Sequence, residues 1–350
     1  MHLLISVITN DWTRYHHAAE ALKPHILASA TPLVFAHPEI FHRSRGFLLL
    51  VDWDREHIVA TRPFAKPFGF ALEDGHLHVA TWGDEEVLTL QGDKIVQRIS
   101  HPWLNHLHSV ATSDRGLLVT SSGTDLIAEF GPDGTPLWMF LLFENGYPGR
   151  PYPLGIHFQH DADYRHRYIP SALAMHVNSA LPLPDGSVLA TVFRSGELIR
   201  IDRVSGQIHR VLTGLHHPHA VRPAPAGYSV CDTEGRNVVL LDHSLHTTAR
   251  LTVPVPWIQD AFLTGEHLFI VGNRRMPTAT ASPSPDPTEL TGILEFSASG
   301  ALLRRLHLPQ RYRPFMAAPI GTDQSDQLAT AWRSHLPDLP DVHWSTAQAT

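Results

Sequence analysis

Short runs of alternating apolar and polar residues recur along most of this chain. In one example, SVLATV at 187–192, a Gly-containing turn precedes the run, and a polar turn leads on to ELIRID at 197–202. Apolar side chains with a period of two are typical of half-buried β-strands, and Gly-rich turns between such runs indicate antiparallel pairing. The pattern predicts an all-β chain whose helices are limited to a short one near 15–22.

The same group of strands returns along the chain at a spacing of roughly 40 residues, which is the period of a β-propeller blade with four short strands. Five copies are visible, and they begin at Lys66, Leu104, Ala174, His216 and Pro256. This repeat predicts that residues 1–350 form a single β-propeller domain.

The two ends of the chain supply a sixth copy of the repeat. RPFMAAPI at 313–320 resembles an inner strand, and the segments 3–9, 46–54 and 57–64 resemble three outer strands. Joining both termini in one blade closes the ring and leaves no open sheet edge. We therefore predict six blades, or seven if residues 328–332 and the early segments form a blade of their own.

Three insertions interrupt the repeat, at about 10–45, 142–173 and 277–291. The first and third follow the second strand of a blade, and the second insertion leads into the inner strand of the next blade. In a propeller these connections lie on one face, the face at which the inner strands begin. Long loops over a rigid scaffold commonly carry function, so we expect the three insertions to form a lid over one end of the axial channel.

Histidines occupy matching positions at the predicted starts of the inner strands. Residues two apart in a strand project the same way, so each blade should offer a stacked pair to the channel. The pairs are His106 with His108, His176 with Asn178, His217 with His219, and Ile258 with Asp260. These pairs predict two layers of side chains in the channel, one of His106, His176 and His217 and the other of His108, Asn178, His219 and Asp260. A metal site requires the side chains of one layer to converge on a single point.

Neutral imidazole binds zinc, copper and iron, and three protein nitrogens with an open position are typical of catalytic metal sites. We expect a divalent metal ion held by histidines of this set, zinc first, with iron or copper as alternatives. Asp260 and Asn178 are candidates for orienting a ligand or for acid–base catalysis. Arg194, at the rim, and Tyr164, in the second insertion, are further candidate catalytic residues. The alternative interpretation is a polar channel filled with water.

Composition narrows the classes of partner. The net charge is −7, with hydrophobic residues at 43% and charged residues at 17%, and the basic residues form no stripe that would indicate nucleic-acid binding. No apolar stretch is long enough for a membrane-spanning helix. The single cysteine, Cys231, excludes an intramolecular disulfide framework. We expect a cytoplasmic protein with a small-molecule substrate and no nucleic-acid or membrane partner.

The blade segments that begin at His106 (HLHSVATSDRG) and at His217 (HPHAVRPAPAG) resemble those of the NHL-type propeller superfamily. This superfamily includes the peptidyl-hydroxyglycine amidating lyases and, more distantly, the SMP-30 lactonases and the streptogramin lyases. The context Pro218-His219-Ala220-Val221 is similar to the zinc-ligand motif of the amidating lyases. The resemblance implies a six-bladed propeller with an axial metal, although Asn178 stands where the motif would place a histidine.

These observations favour a metal-dependent propeller enzyme that acts on a small organic molecule, with lyase or hydrolase chemistry preferred. The sequence contains no G-x-S-x-G, P-loop or H-E-x-x-H motif, so the common hydrolase and nucleotide routes lose support. Two alternatives stay open. One is an iron- or copper-dependent oxidoreductase at the same site, and the other is a non-catalytic propeller that binds a peptide or protein.

Overall fold

The structure is a computed structural model of the full chain. The residues that it describes are 1–9, 45–147, 158, 160–165, 169, 174–274, 291–309, 311–333, 339 and 342–346. Within these ranges the chain forms six antiparallel sheets from β1 to β25 and one α-helix, α1 (Thr322–Ala331). The predicted all-β propeller is therefore confirmed. The predicted short helix near 15–22 lies outside the described residues.

Each sheet is one blade, with its strands paired in order from the axis outward. Blade 1 comprises β4 (Pro67–Glu73), β5 (His76–Thr81), β6 (Glu86–Gln91) and β7 (Lys94–Ile99). Blade 2 comprises β8 (Leu107–Ser113), β9 (Gly116–Ser121), β10 (Leu126–Phe130) and β11 (Pro136–Leu141). Blade 3 comprises β12 (Val177–Pro182), β13 (Val188–Val192), β14 (Glu197–Ile201) and β15 (Ile208–Leu212). Blade 4 comprises β16 (His219–Ala224), β17 (Gly227–Asp232), β18 (Asn237–Asp242) and β19 (Thr247–Thr252). Blade 5 comprises five strands, β20 (Trp257–Thr264), β21 (His267–Asn273), β22 (Gly292–Phe296), β23 (Leu302–His307) and β25 (His343–Thr346).

Blade 6 joins the two ends of the chain, as the sequence predicts. Its inner strand is β24 (Tyr312–Ile320), followed by β1 (His2–Thr9), β2 (Gly46–Asp52) and β3 (His57–Phe64). The antiparallel pairing of β1 with both β24 and β2 closes the ring.

The alternative of a seventh blade at 328–332 is wrong. Residues up to Ala331 belong to α1, and Trp332 directly after the helix is fully buried in an apolar cluster with Leu48 and Leu77. The helix thus covers the junction between blades 6 and 1 instead of supplying strands. No described helix is long and apolar enough to cross a membrane.

The three insertions fall where the sequence predicts them in the topology. They follow β1 and β21, each the second strand of its blade, and β11, the last strand of blade 2. A short 3-10 turn, Leu142–Glu144, opens the second insertion. Most residues of the insertions lie outside the described ranges, so the lid stays a prediction.

Every inner strand is irregular near its start, where its register against the second strand shifts. A bulge leaves one residue without a direct partner on the neighbouring strand and changes the direction of the side chains around it. The residues skipped in the pairing are Phe68 and Gly69 in blade 1, His108 in blade 2, Asn178 in blade 3, Ala220 in blade 4, Gln259 in blade 5 and Phe315 in blade 6.

The residue that leads into the bulge has a left-handed backbone in four consecutive blades. The φ angles are 57° for Lys66, 57° for His106, 63° for His176 and 56° for His217. Non-glycine residues adopt this conformation rarely, at a cost of about 1 kcal/mol each, and they often lie at functional sites. The same sharp backbone turn therefore precedes the inner strand in each of blades 1 to 4.

Gly69 allows blades 1 and 2 to approach each other closely at the level of these bulges. A Cβ atom at this position would lie 2.7 Å from Cα of Ser109 and 2.9 Å from the carbonyl oxygen of His108. Contacts that short with backbone atoms would push the two inner strands apart. The glycine thus helps to hold His108 in place.

Candidate metal centre on the propeller axis

Three histidines from two neighbouring blades converge at the start of the axial channel. His106, His108 and His176 each offer a ring nitrogen, and these three atoms all lie within 4.8 Å of one another. The rings of His106 and His176 have centroids 5.2 Å apart, and those of His108 and His176 are 4.9 Å apart. Among the described residues, this is the group of histidine, cysteine and carboxylate side chains that could hold a metal ion.

Burial keeps two of these imidazoles in the neutral form that binds metals. His108 is 5% exposed and His176 is 8% exposed. Burial lowers the pKa of His176 to about 3, assisted by the positive charge of Arg194. Burial also holds the pKa of His108 well below its ordinary value, and the neighbouring His176 lowers it further.

The hydrogen bonding of the group fits a metal ion. Nδ1 of His108 and Nδ1 of His176 are buried and have no hydrogen-bond partner among the described residues. A buried polar atom without a partner costs roughly 1–3 kcal/mol, so such atoms call for an explanation. A bound cation would supply it. Tetrahedral zinc places nitrogen ligands about 3.3 Å apart, so the three rings would close inward on binding.

Aromatic side chains surround the histidines. The ring of Trp82 lies 4.6 Å from that of His106, and His108 packs edge-on against Phe68 and Phe315 at 5.0 and 5.1 Å. Phe68 and Phe315 themselves stack at 4.1 Å. These rings exclude water from one side of the group and lower the local dielectric.

Lys66 is a member of the site that the sequence analysis did not single out. It occupies the left-handed position of blade 1 that corresponds to His106 in blade 2. The side chain is 2% exposed, and its Nζ lies 3.0 Å from the ring centroid of Trp82, a cation–π contact. The repeat alignment could have identified Lys66, since the first copy of the repeat begins at this residue.

His217 lies beside the group rather than in it. Its ring stacks on Phe193 at 4.3 Å with an interplanar angle of 11°, and its Nδ1 is 3.2 Å from Oε2 of Glu234. The side chain is 40% exposed.

His219 is buried and bound to its own blade. Its Nδ1 lies 3.0 Å from the carbonyl oxygen of His217 and 2.9 Å from Oγ1 of Thr233. Burial and the neighbouring His176 lower its pKa to about 3, so it is neutral. Its ring packs edge-on against Phe193 and Trp257.

The predicted separation into two layers therefore differs from the structure, which groups His106 and His176 with His108. The prediction assumed regular strand alternation from the first residue of each pair. His106 and His176 precede their strands in a left-handed conformation, and the bulges at His108 and Asn178 follow at once. Both features break the period of two.

Asp260 is engaged by hydrogen bonds rather than free. Its carboxylate accepts bonds from Nε and Nη2 of Arg222 and from the backbone N–H groups of Ala261 and Ala317. Burial raises the pKa of Asp260, and Arg222 acts in the opposite direction. The Asp260–Arg222 pair, with all of these hydrogen bonds made, stabilises the local structure. A role of Asp260 in acid–base catalysis stays a prediction.

Asn178 lies beside the histidines with half of its amide unused. Its Nδ2 donates to the carbonyl oxygen of Pro218 at 3.1 Å, and its Oδ1 is buried with no partner among the described residues. It is 3% exposed.

Arg194 and Tyr164 lie in different surroundings. Arg194 is close enough to His176 to lower its pKa, and it acts in the same direction on the pKa of Asp125. The ring of Tyr164 packs against Trp103 at 4.9 Å in an apolar cluster, so a catalytic part for it stays a prediction.

Asp125 holds the backbone next to a candidate ligand, His176, and no motif in the sequence indicates this role. Its carboxylate accepts hydrogen bonds of 2.6 Å from the backbone N–H groups of Met175 and His176. Burial raises its pKa to about 7, against the effect of these bonds. The bonds fix the turn on which His176 sits.

Comparison with known proteins gives the fold but no family. No family model matches the chain, and no curated protein matches it. A solved protein of unknown function from Bacteroides caccae is similar, with a TM-score of 0.57, 14% identity, and 90% of this chain and 98% of that one covered. A chain from a nidogen–laminin complex has a TM-score of 0.54 and 11% identity, with 77% and 94% covered.

A streptogramin B lyase is also similar, with a TM-score of 0.48, 9% identity, and 79% of this chain and 77% of that one covered. This score is too low to carry an argument about the present chain. At the identities of the first two structures the likeness shows the propeller fold alone. The resemblance to NHL-type blades thus stays a prediction.

Proposed function

We propose that this chain is a metal-dependent propeller enzyme that acts on a small organic substrate at an axial site, as a lyase or hydrolase. His106, His108 and His176 would hold a divalent metal ion, zinc first. The observation that carries the proposal is the convergence of three ring nitrogens within 4.8 Å, of which two belong to buried, neutral imidazoles.

The chemistry of the donor set supports this proposal. Three imidazoles leave at least one coordination position for water or substrate, as in catalytic zinc sites. When bound, such a metal polarises a substrate oxygen or lowers the pKa of a water molecule. Arg194, whose charge acts on His176, could attract an anionic group of a substrate, since guanidinium suits carboxylates.

The residues around the histidines would serve to hold the site in one geometry. Asp125 fixes the backbone at Met175 and His176 through one hydrogen bond to each. The rings of Phe68, Trp82 and Phe315 limit the positions of His106 and His108. A binding constellation supported in this way needs little reorganisation when a metal enters.

Metal titration of the purified protein tests this proposal. We expect one zinc ion per chain, and loss of that stoichiometry in His108→Ala and in His176→Ala. The matched control is His246→Ala, because His246 is an exposed histidine on another part of the propeller. Unchanged zinc binding in both site variants would overturn the proposal.

The identity of the metal separates the reaction classes. Protein purified without added metal should contain zinc if it is a lyase or hydrolase. Stoichiometric iron or copper would favour the oxidoreductase alternative, because imidazole binds these metals as well. Absence of any stoichiometric metal would favour a non-catalytic binding propeller.

A further inference from the structure

A cavity of about 410 Å³ occupies the axial channel beyond the histidines. Its lining begins at His108, Asn178 and His219 and extends to Pro182 and Pro223, near the ends of their inner strands. The inner strands run from the face of the three insertions to the opposite face. The cavity therefore lies on the side of the histidines that faces away from the predicted lid.

Most of the cavity wall is apolar. The lining residues come from the inner strands of several blades and include Phe70, Val110, Ala111, Leu181, Val221 and Met316. The charged residues in the lining, Arg222 and Asp260, neutralise each other through a bidentate pair. A pocket of this size with apolar walls and few polar groups is typical of small-molecule sites. A neutral ligand suits it better than a charged one.

Asn178 lies at the inner end of the cavity, but its amide is closed to a ligand there. Its Nδ2 donates to the carbonyl oxygen of Pro218, and its Oδ1 is buried, without a partner among the described residues, and not accessible from the cavity. The acceptor for a ligand must therefore come from another residue at this end.

The imidazole of His219, which lines the inner end of the cavity, is fixed in one tautomer by its hydrogen bonds. Its Nδ1 must carry the proton, because the carbonyl oxygen of His217 at 3.0 Å can only accept. The hydroxyl of Thr233 donates to the carbonyl oxygen of Ile258 and so also accepts from Nδ1. With the proton on Nδ1, Nε2 is the ring nitrogen left to accept a hydrogen bond.

We propose that this cavity binds a neutral, largely apolar small molecule that carries N–H or O–H donors, entering from the face opposite to the insertions. The cavity shares His108 with the histidine group, but the site needs no bound metal. Nε2 of His219 would accept a hydrogen bond from the donor, and the apolar walls would cover the rest of the ligand.

A matched pair of probes tests the predicted chemistry in ligand-detected NMR titrations. Benzamide offers an aromatic ring with two N–H donors, whereas benzoate has the same shape with a negative charge and acceptors only. We expect benzamide to bind in the millimolar range and benzoate at least about tenfold more weakly. Benzoate has no donor for the acceptor in the cavity, so the acceptor and the carboxylate would both lose water without gaining a hydrogen bond. Equal binding of the two probes, or no benzamide binding, would overturn the proposal.

Two variants locate the binding in the cavity. Ala111→Leu should fill part of the wall and weaken benzamide binding at least about fivefold, whereas Ala249→Leu, on the outermost strand of blade 4, should not change it. His219→Phe should remove the preference for benzamide over benzoate, because it deletes the acceptor and keeps a ring. Benzamide bound equally well by Ala111→Leu and by the parent protein would place the ligand elsewhere and refute this site.

Repeating the titration with and without zinc separates this inference from the proposed function. Benzamide affinity should agree within about twofold in the two states. Binding that disappears on chelation would assign the probe to the metal and contradict the cavity site. Binding that persists in a protein unable to hold zinc would support the cavity while the metal proposal fails.

Discussion

Blades 2 and 4 carry nearly the same sequence at the start of their inner strands, yet they use it differently. Both have a histidine with a left-handed backbone and a second histidine two residues later, His106 and His108 in one and His217 and His219 in the other. In blade 2 both rings join the candidate metal group. In blade 4 neither ring joins it.

The difference lies in the position of the bulge. In blade 2 the skipped residue is His108, two residues after the left-handed position, and in blade 4 it is Ala220, three residues after it. His219 is consequently paired in the sheet opposite Cys231, with its Nδ1 bonded within its own blade. Sequence spacing alone therefore does not decide where a side chain points; the location of the bulge does.

The largest expected effect comes from removing one histidine in each blade. His106→Ala should weaken zinc binding by at least about 100-fold, because a ligand is lost from a three-histidine site. His217→Ala should change it by less than about threefold, because that ring stacks on Phe193 and faces Glu234. Competition against a chromophoric chelator measures both. A loss in His217→Ala as large as in His106→Ala would show that blade 4 does contribute a ligand.

Much of the architecture could be predicted from the sequence, because the repeat fixes the number of strands and the order of blades. The closing of the ring by the segment at 313–320 and the N-terminal strands followed from the same pattern. The grouping of the histidines could not be predicted, since a bulge is set by packing between blades, such as the close approach at Gly69. The supporting carboxylate of Asp125 also had no signal, because its partners are backbone groups brought near by the fold.

The next effect concerns the pH dependence of stability. The folded pKa of His219 is about 3, below the ordinary 6.5, so between these values the unfolded chain binds the extra proton. The stabilising contribution is thus present above pH 6.5 and is lost as the pH falls toward 3. Between pH 7 and pH 5 this should lower the free energy of unfolding by about 2 kcal/mol.

Urea unfolding of His219→Gln isolates this contribution. The variant should lose less stability than the parent protein over the same pH range, because glutamine does not titrate. The raised pKa of Asp125 acts in the opposite direction, but it is common to both proteins and cancels. His246→Gln, at an exposed position, should keep the parent's pH profile. Parallel profiles for His219→Gln and the parent protein would contradict the buried, neutral state of this histidine.

Blade 3 allows the comparison to be sharpened by a gain of function. Asn178 is the bulge residue of blade 3, as His108 is in blade 2, and it lies next to the group. Asn178→His should raise zinc affinity by about tenfold, because it offers a fourth imidazole at a matching position. The same competition titration measures the change. Unaltered affinity would mean that the bulge residue of blade 3 does not reach the metal.

The smallest effect tests the bulge of blade 4 itself. Ala220 has a φ of 29°, a conformation that costs an alanine energy and a glycine very little. Ala220→Gly should therefore stabilise the protein by about 0.5–1 kcal/mol in urea unfolding, although glycine in a regular strand usually destabilises. Ala249→Gly in β19 is the matched control and should destabilise by a similar amount. Equal destabilisation by both changes would show that Ala220 is not strained, and the shifted bulge would then not explain why blade 4 differs from blade 2.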